Sequence, residues 1–221
     1  MKRTIVFDLD GTLVDTAGDL VDTLNAVLAG EGMAPMPFDA ARASIGSGAR
    51  AMLKAAFAAA GVAASEDRLD RLMALFLAHY ADHLADKSRP YPGVPEALDR
   101  LVADGWGLAV CTNKLEKPAR ALLSALGLAD RFAVIAGQDT FGVRKPDPRH
   151  LLRTIERASG RSDAAVMVGD SSIDAATAVA AGVPMVFATF GYGPRPETEP
   201  ERTIGHFDEL AAAVAGLAAF P

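Results

Sequence analysis

The sequence predicts an α/β protein: a doubly wound core built on a parallel five-stranded sheet, with a small α-helical domain inserted after the first strand. Three observations carry this. Short apolar runs recur along the 221 residues, helical stretches separate them, and one long segment after the first run shows helical periodicity alone. Strands that alternate with helices pair in parallel and are covered on both faces, so they read as continuous apolar runs.

The first run, TIVFD (4–8), leads straight into Asp8 and Asp10, with Gly11 and Thr12 opening a turn. From about residue 17 to 87 no strand pattern appears, and RLDRLMALFLAHYADHL (68–84) spaces its apolar residues as a helix does. The exit from this insert, SRPYPGVPEA (88–97), is rich in Pro and Gly and reads as a hinge. The predicted division is therefore a core of residues 1–15 and 88–221 and a helical unit of residues 16–87, with hinges at 15–17 and 89–93. Four further strands follow: GLAVCTN (107–113), FAVIAG (132–137), AAVMVGD (164–170) and PMVFAT (184–189). Helices are expected near 94–104, 116–127, 148–159, 172–181 and 207–219. Pro95 and Pro148 stand where first helical turns begin, and Gly127 and Gly182 where helices stop.

Composition limits the function. A net charge of -6 disfavours a general nucleic-acid binder, and an anionic substrate must then be caught by a local positive site. Cys111 has no cysteine partner, which excludes an internal disulfide and fits a reducing compartment. Lys2 and Arg3 imitate the start of a signal peptide, but Asp8 and Asp10 end the apolar run too early. No stretch approaches the ~20 apolar residues of a spanning helix. The expected location is the cytoplasm.

Chemistry-bearing residues gather at predicted strand ends, where doubly wound folds bind ligands. Asp8 and Asp10 close the first strand; unpaired burial of both would be costly, and a hard cation such as Mg²⁺ removes that cost. A polar strand end with a turn explains this pair alone equally well. Asp170 closes another strand, and Asp174 follows one helical turn later on the same face. Ser171 and Ser172 read as helix caps. Thr112 and Asn113 end the second strand ahead of a helix, a junction that serves as an anion site or an ordinary cap. Lys145 precedes Pro146, which keeps it out of helical geometry.

In this order, DLDGT, Thr112, Lys145 before Pro and GDSSID resemble the four motifs of the haloacid dehalogenase superfamily, in its phosphatase branch. The resemblance covers the whole chain, with the insert matching that family's small cap domain. CTNK (111–114) and ATFGYG (188–193) are most similar to the members that hydrolyse 2-phosphoglycolate. The resemblance implies that Asp8 is the nucleophile and Asp10 the general acid and base. It implies Mg²⁺ held by Asp8, the backbone carbonyl of Asp10 and Asp170, with Asp174 in the outer shell or as a weaker ligand. Thr112 and Lys145 would bind phosphoryl oxygens, with Asn113 beside them. The implied partner is a small phosphorylated metabolite, without nucleic acid or membrane, and the chain would be a monomer or homodimer. For the substrate carboxylate the candidates are Arg50, in GSGARAML (46–53), and Lys114 as the fallback. A sugar-phosphate phosphatase, a pyrophosphatase, a sugar-phosphate mutase and an inactive binding module remain alternatives. His79 and His83 resemble half a zinc site without a third ligand and read as surface or packing residues. Cys111 reads as a small core residue.

Overall fold

The computed structural model describes residues 2–217. Its elements are, in chain order, β1 (Lys2–Phe7), β2 (Val14–Asp15), α1 (Ala17–Gly30), α2 (Phe38–Arg42), α3 (Ala49–Ala59) and α4 (Glu66–His83). Then come β3 (Arg89–Pro90), α5 (Val94–Ala103), β4 (Gly107–Cys111), α6 (Glu116–Ala125), β5 (Val134–Ala136) and α7 (Pro148–Arg157). The chain continues with β6 (Gly160–Gly169), α8 (Ser172–Ala181), β7 (Met185–Ala188), β8 (Arg202–Ile204) and α9 (Leu210–Val214).

The main sheet has the order β5-β4-β1-β6-β7-β8, with every pairing parallel. Ile5, Val6 and Phe7 on β1 are wholly buried, because helices cover both faces of the sheet. After β1 the chain builds outward through β4 and β5, then returns to build the other side through β6. That reversal beside β1 opens a crevice at the strand ends, and it sets the ends of β1, β4 and β6 around one point.

Local signals place the helix starts. Asp147 accepts a hydrogen bond from the Arg149 N–H at 2.9 Å, and Pro148 opens α7. Ser171 and Asp174 form a reciprocal capping box at the start of α8, which stops at a left-handed Gly182. The expected capping role of Ser171 is thus observed, and Pro95 likewise falls in the first turn of α5.

The sheet has six strands, not the five expected. The additional strand, β8, is three residues long and carries only one buried residue, Ile204, so it lacks the apolar run that marks the others. A second departure is the antiparallel ribbon of β2 with β3, which pairs Val14 with Pro90 and Asp15 with Arg89. The last helix is shorter than the expected 207–219: a 3₁₀ turn over Phe207–Glu209 precedes α9, and residues 218 and 219 lie outside the described residues.

Three apolar clusters form. Two lie on opposite faces of the sheet, and the third joins α1 to α4, centred on Leu24, Leu53, Phe57, Leu72, Phe76 and Tyr80. Each large buried side chain contributes about 1.5–3 kcal/mol, so this third cluster gives the insert a core of its own. Asp19 of α1 fastens the return connection. Its carboxylate accepts from the N–H groups of Lys87 (2.9 Å) and Ser88 (2.8 Å) and from the Ser88 hydroxyl (2.6 Å).

Candidate active site

Asp8 continues β1 by one residue, donating its N–H to the Val168 carbonyl at 2.9 Å. The chain then turns at once: Leu13 and Val14 donate to Leu9 O, and Gly11 adopts a φ of +88°. A side chain at Gly11 would be strained and would collide with the Asp170 carboxylate. The turn separates the two acids. Asp8 faces Asp170 and Asp174, while Asp10 turns toward the helical insert.

The side chains of Asp8, Asp170 and Asp174 place ligand oxygens within 4.8 Å of one another, the one such group among the described residues. All three acids are buried. Lys145 enters between two of them, its Nζ 2.6 Å from Asp174 Oδ1 and 2.8 Å from Asp8 Oδ1. The contact with Asp8 is an ion pair without hydrogen-bond alignment, so Asp8 Oδ1 is buried with no donor aimed at it. Asp170 is held on both sides: Oδ2 accepts from the N–H groups of Tyr192 and Gly193, each at 2.9 Å, and Oδ1 from the Thr12 hydroxyl at 3.1 Å. Asp174 Oδ2 belongs to the capping box, accepting from the Ser171 hydroxyl at 2.6 Å.

The electrostatics follow from burial. Asp8 is pushed up to about 8 by desolvation, against Lys145 and with the repulsion of Asp174 and Asp170. Desolvation, then Asp174, raises Asp170 to about 6. Burial alone would lower Lys145, but Asp174 and Asp8 outweigh it and hold its ammonium above the usual lysine range. Three clustered carboxylates thus face one ammonium. A hard divalent cation fits this donor set: it offers oxygen ligands alone, includes an oxygen without a directed donor, and carries excess negative charge.

The second half of the site surrounds Asp10. Lys114 Nζ lies 2.9 and 3.3 Å from its two oxygens, and the Thr16 hydroxyl donates to Oδ1 at 2.7 Å. The Lys114 ammonium also sits 4.6 Å from the Tyr80 ring centroid on α4. Burial would lower this lysine, and Asp10 and Tyr80 more than reverse that. A cavity of about 30 Å³ borders Asp10, Asn113 and Lys114 on one side and Met52, Phe76 and Tyr80 on the other.

The structure therefore brings Asp8, Lys145, Asp170 and Asp174 together. It sets the Asp10 side chain apart from the acid group, so a metal role for Asp10 rests on its backbone carbonyl. Thr112 is buried, and its Oγ1 accepts from the Lys114 N–H at 3.2 Å. Asn113 directs its amide to Lys145 O (3.2 Å) and to Gly46 O of the insert (3.3 Å), clamping backbone on both sides. Arg50 is not brought to the cavity: its guanidinium forks between Glu66 (2.5 Å) and Asp70 (2.6 Å). Those acids follow it on α4, and together they hold it on the outer face of the insert. His79 contacts Thr23, His83 contacts Asp86, and among the described residues no third metal ligand joins them. Thr12, Thr16, Tyr80 and Tyr192 were not singled out by the sequence. Only the FGYG stretch hinted at Tyr192.

A doubly wound sheet whose strand ends gather buried acids around an ammonium defines an α/β hydrolase equipped for phosphate esters. Residues 5–188 match the family model described as haloacid dehalogenase-like hydrolase. The chain is 51% identical to the phosphoglycolate phosphatase of Mesorhizobium japonicum, over 97% of this chain and 95% of that one. It is 48% identical to the phosphoglycolate phosphatase of Agrobacterium fabrum, over 95% and 91%. A crystal structure of a predicted phosphoglycolate phosphatase from Haemophilus somnus superposes with a TM-score of 0.89 at 29% identity, covering 96% of this chain and 97% of that one. The chain belongs to the haloacid dehalogenase-like hydrolase family, and it is a phosphatase. Phosphatases of this family generally use a metal ion, in keeping with the three-acid group. Among the described residues no helix is long and apolar enough to cross a membrane.

Proposed function

We propose that this phosphatase hydrolyses a small phosphomonoester, 2-phosphoglycolate above all, with Mg²⁺ and an aspartyl-phosphate intermediate on Asp8. The observation that carries the reading is the buried group of Asp8, Asp170 and Asp174 with the Lys145 ammonium between two of its members. Asp8 and Asp170 would hold the cation with the backbone carbonyl of Asp10. Asp174, engaged by Lys145 and Ser171, would stand behind them. Bound there, the ion neutralises charge on the carboxylates and phosphoryl oxygens, so that an anion can approach an anion.

The steps belong to the chain's own residues. An Asp8 carboxylate oxygen attacks phosphorus, and the bond from phosphorus to the ester oxygen breaks. Asp10 gives its proton to the departing alkoxide, then takes one from the water that attacks the phosphoenzyme. Phosphate leaves and Asp8 is restored. Lys145 and the Thr112 hydroxyl hold the non-bridging oxygens, while Asn113 fixes the Lys145 backbone.

The substrate reading is supported by relatives named phosphoglycolate phosphatase and by the cation on the cavity wall. Lys114 lines that cavity, where its ammonium also pairs with Asp10, whereas Arg50 lies off the cavity, so Lys114 is the contact for the glycolate carboxylate. Residues 16–87 act as a cap domain on the core of 1–15 and 88–221, with hinges at 15–17 and 89–93. Closure sequesters the ester from water. The setting is cytoplasmic, in keeping with the free, buried Cys111.

A panel of small phosphate esters, assayed with Mg²⁺ and with EDTA, tests the reading. Preferred turnover of 2-phosphoglycolate, lost in EDTA and restored by Mg²⁺, is the expected outcome. Preference for a sugar phosphate, or return of phosphate to a sugar without release, would overturn the substrate assignment. Lys114→Ala should lower kcat/KM for 2-phosphoglycolate about 10–150-fold more than for p-nitrophenyl phosphate.

A further inference from the structure

Tyr192 touches both halves of the site. Its backbone N–H holds Asp170 Oδ2 at 2.9 Å, and its hydroxyl lies 2.8 Å from Thr16 Oγ1. Thr16 in turn meets Asp10 Oδ1 at 2.7 Å. The Tyr192 ring faces the insert, with the Arg42 guanidinium 5.1 Å from its centroid.

Thr16 stands at the N-cap position of α1, where a threonine ordinarily accepts a bond from its own helix. Here its side chain makes no cap bond. The Asp15 carboxylate instead accepts from the Ala17 N–H at 3.2 Å, so the Thr16 hydroxyl is free for Asp10. Direction follows from donor chemistry. A carboxylate oxygen only accepts, and a threonine hydroxyl has one proton. Thr16 therefore donates to Asp10 Oδ1, and Tyr192 must donate to Thr16.

We propose that Tyr192 and Thr16 are positioning residues for Asp10: their hydroxyl chain holds Oδ1 and so sets the orientation of the carboxylate. Lys114 Nζ reaches both oxygens from the cavity wall, at 2.9 Å to Oδ1 and 3.3 Å to Oδ2. Through Tyr192 the same residue also braces Asp170, so the acid and the metal-side carboxylate are set from one point.

The proposal rests on Asp10 being the general acid, and leaving-group dependence separates the two. An alkoxide needs that proton, whereas p-nitrophenolate departs without it. Wild type, Asp10→Asn, Thr16→Val, Thr16→Ser and Tyr192→Phe are compared on a series of alkyl and aryl phosphomonoesters by kcat/KM, which reports formation of the phosphoenzyme. Tyr192→Phe keeps the ring on Arg42 and the backbone on Asp170, and melting curves check that each variant folds. Tyr192→Phe should lower kcat/KM about 5-fold on alkyl esters, and Thr16→Val about 10-fold or more. Losses on p-nitrophenyl phosphate should be smaller than on alkyl esters, and Thr16→Ser should recover most of the alkyl activity. Equal losses on alkyl and aryl esters would make the pair merely structural and overturn the proposal. If Asp10→Asn is biased against alkyl esters but Thr16→Val and Tyr192→Phe are not, the relay alone is wrong. An unbiased Asp10→Asn overturns the acid assignment and the relay with it.

Discussion

At the scale of single residues, two groups make opposite use of burial. Asp8 is raised by desolvation, so the proposed attack on phosphorus, which needs the carboxylate ionised, would depend on a cation beside it. Asp8→Asn should abolish turnover and leave no acid-stable ³²P label on the protein, because an amide is a poor nucleophile. Labelling of the variant would defeat the covalent route. His150 is fully buried, and neither ring nitrogen has a partner in hydrogen-bond geometry. Burial, then the Lys145 charge, lowers it from 6.5 to about 4. The unfolded chain therefore binds a proton at pH values where the native protein does not. The stability this site contributes is present above about 6.5 and is lost as pH falls toward about 4. At pH 5 the loss is about 2 kcal/mol. Urea denaturation at pH 7.5 and pH 5 should show it, and His150→Leu should remove that part of the pH dependence. The acids at 8, 10 and 170 were legible because each interrupts or ends an apolar run. Thr16 and Tyr192 were not, because their pairing spans 176 positions and follows only from the folded sheet.

At the scale of elements, the site depends on loops that approach a carboxylate closely. A Cβ on Gly191 would fall within the van der Waals shell of the Asp170 side chain. Gly191→Ala should push the 191–193 loop away and withdraw the two N–H donors from Asp170 Oδ2. Mg²⁺ affinity, read by titrating activity, should weaken about 10–100-fold, the usual range for a lost supporting contact at a metal ligand. Gly205→Ala is the control. Its nearest atoms would be 3.9 Å away, and it should bind Mg²⁺ as the wild type does. Normal affinity in Gly191→Ala would show that the loop is not needed to aim Asp170. The long helices and buried strands were legible from periodicity because their apolar residues face one surface. The three-residue β8 and the two-residue strands of the ribbon were not, since edge and connector strands carry no alternating pattern long enough to read.

At the scale of the molecule, a cation held by the acid group would couple stability to the metal. Ions that bind the native site and not the unfolded chain stabilise by mass action, by about 2.7 kcal/mol at 100 times Kd. Saturating Mg²⁺ should therefore raise Tm above its value in EDTA, and Asp170→Asn should remove most of the difference. An unchanged Tm in both proteins would argue against a preorganised cation site. The overall architecture was legible because parallel sheets impose continuous apolar strands. The position of Arg50 was not: its placement is decided by Glu66 and Asp70, which approach it only when α3 and α4 pack.

The β2–β3 ribbon has a consequence for how such a chain can vary. Departure and return lie side by side, with Asp15 opposite Arg89, so the sheet meets the insert through a two-strand socket. Whatever is plugged into that socket need only bring its two ends together, and the insert's separate apolar cluster meets the requirement without drawing on the sheet. Helices can lengthen, shorten or be exchanged there as a cassette, while the register of β1, β4 and β6 around the acids stays untouched.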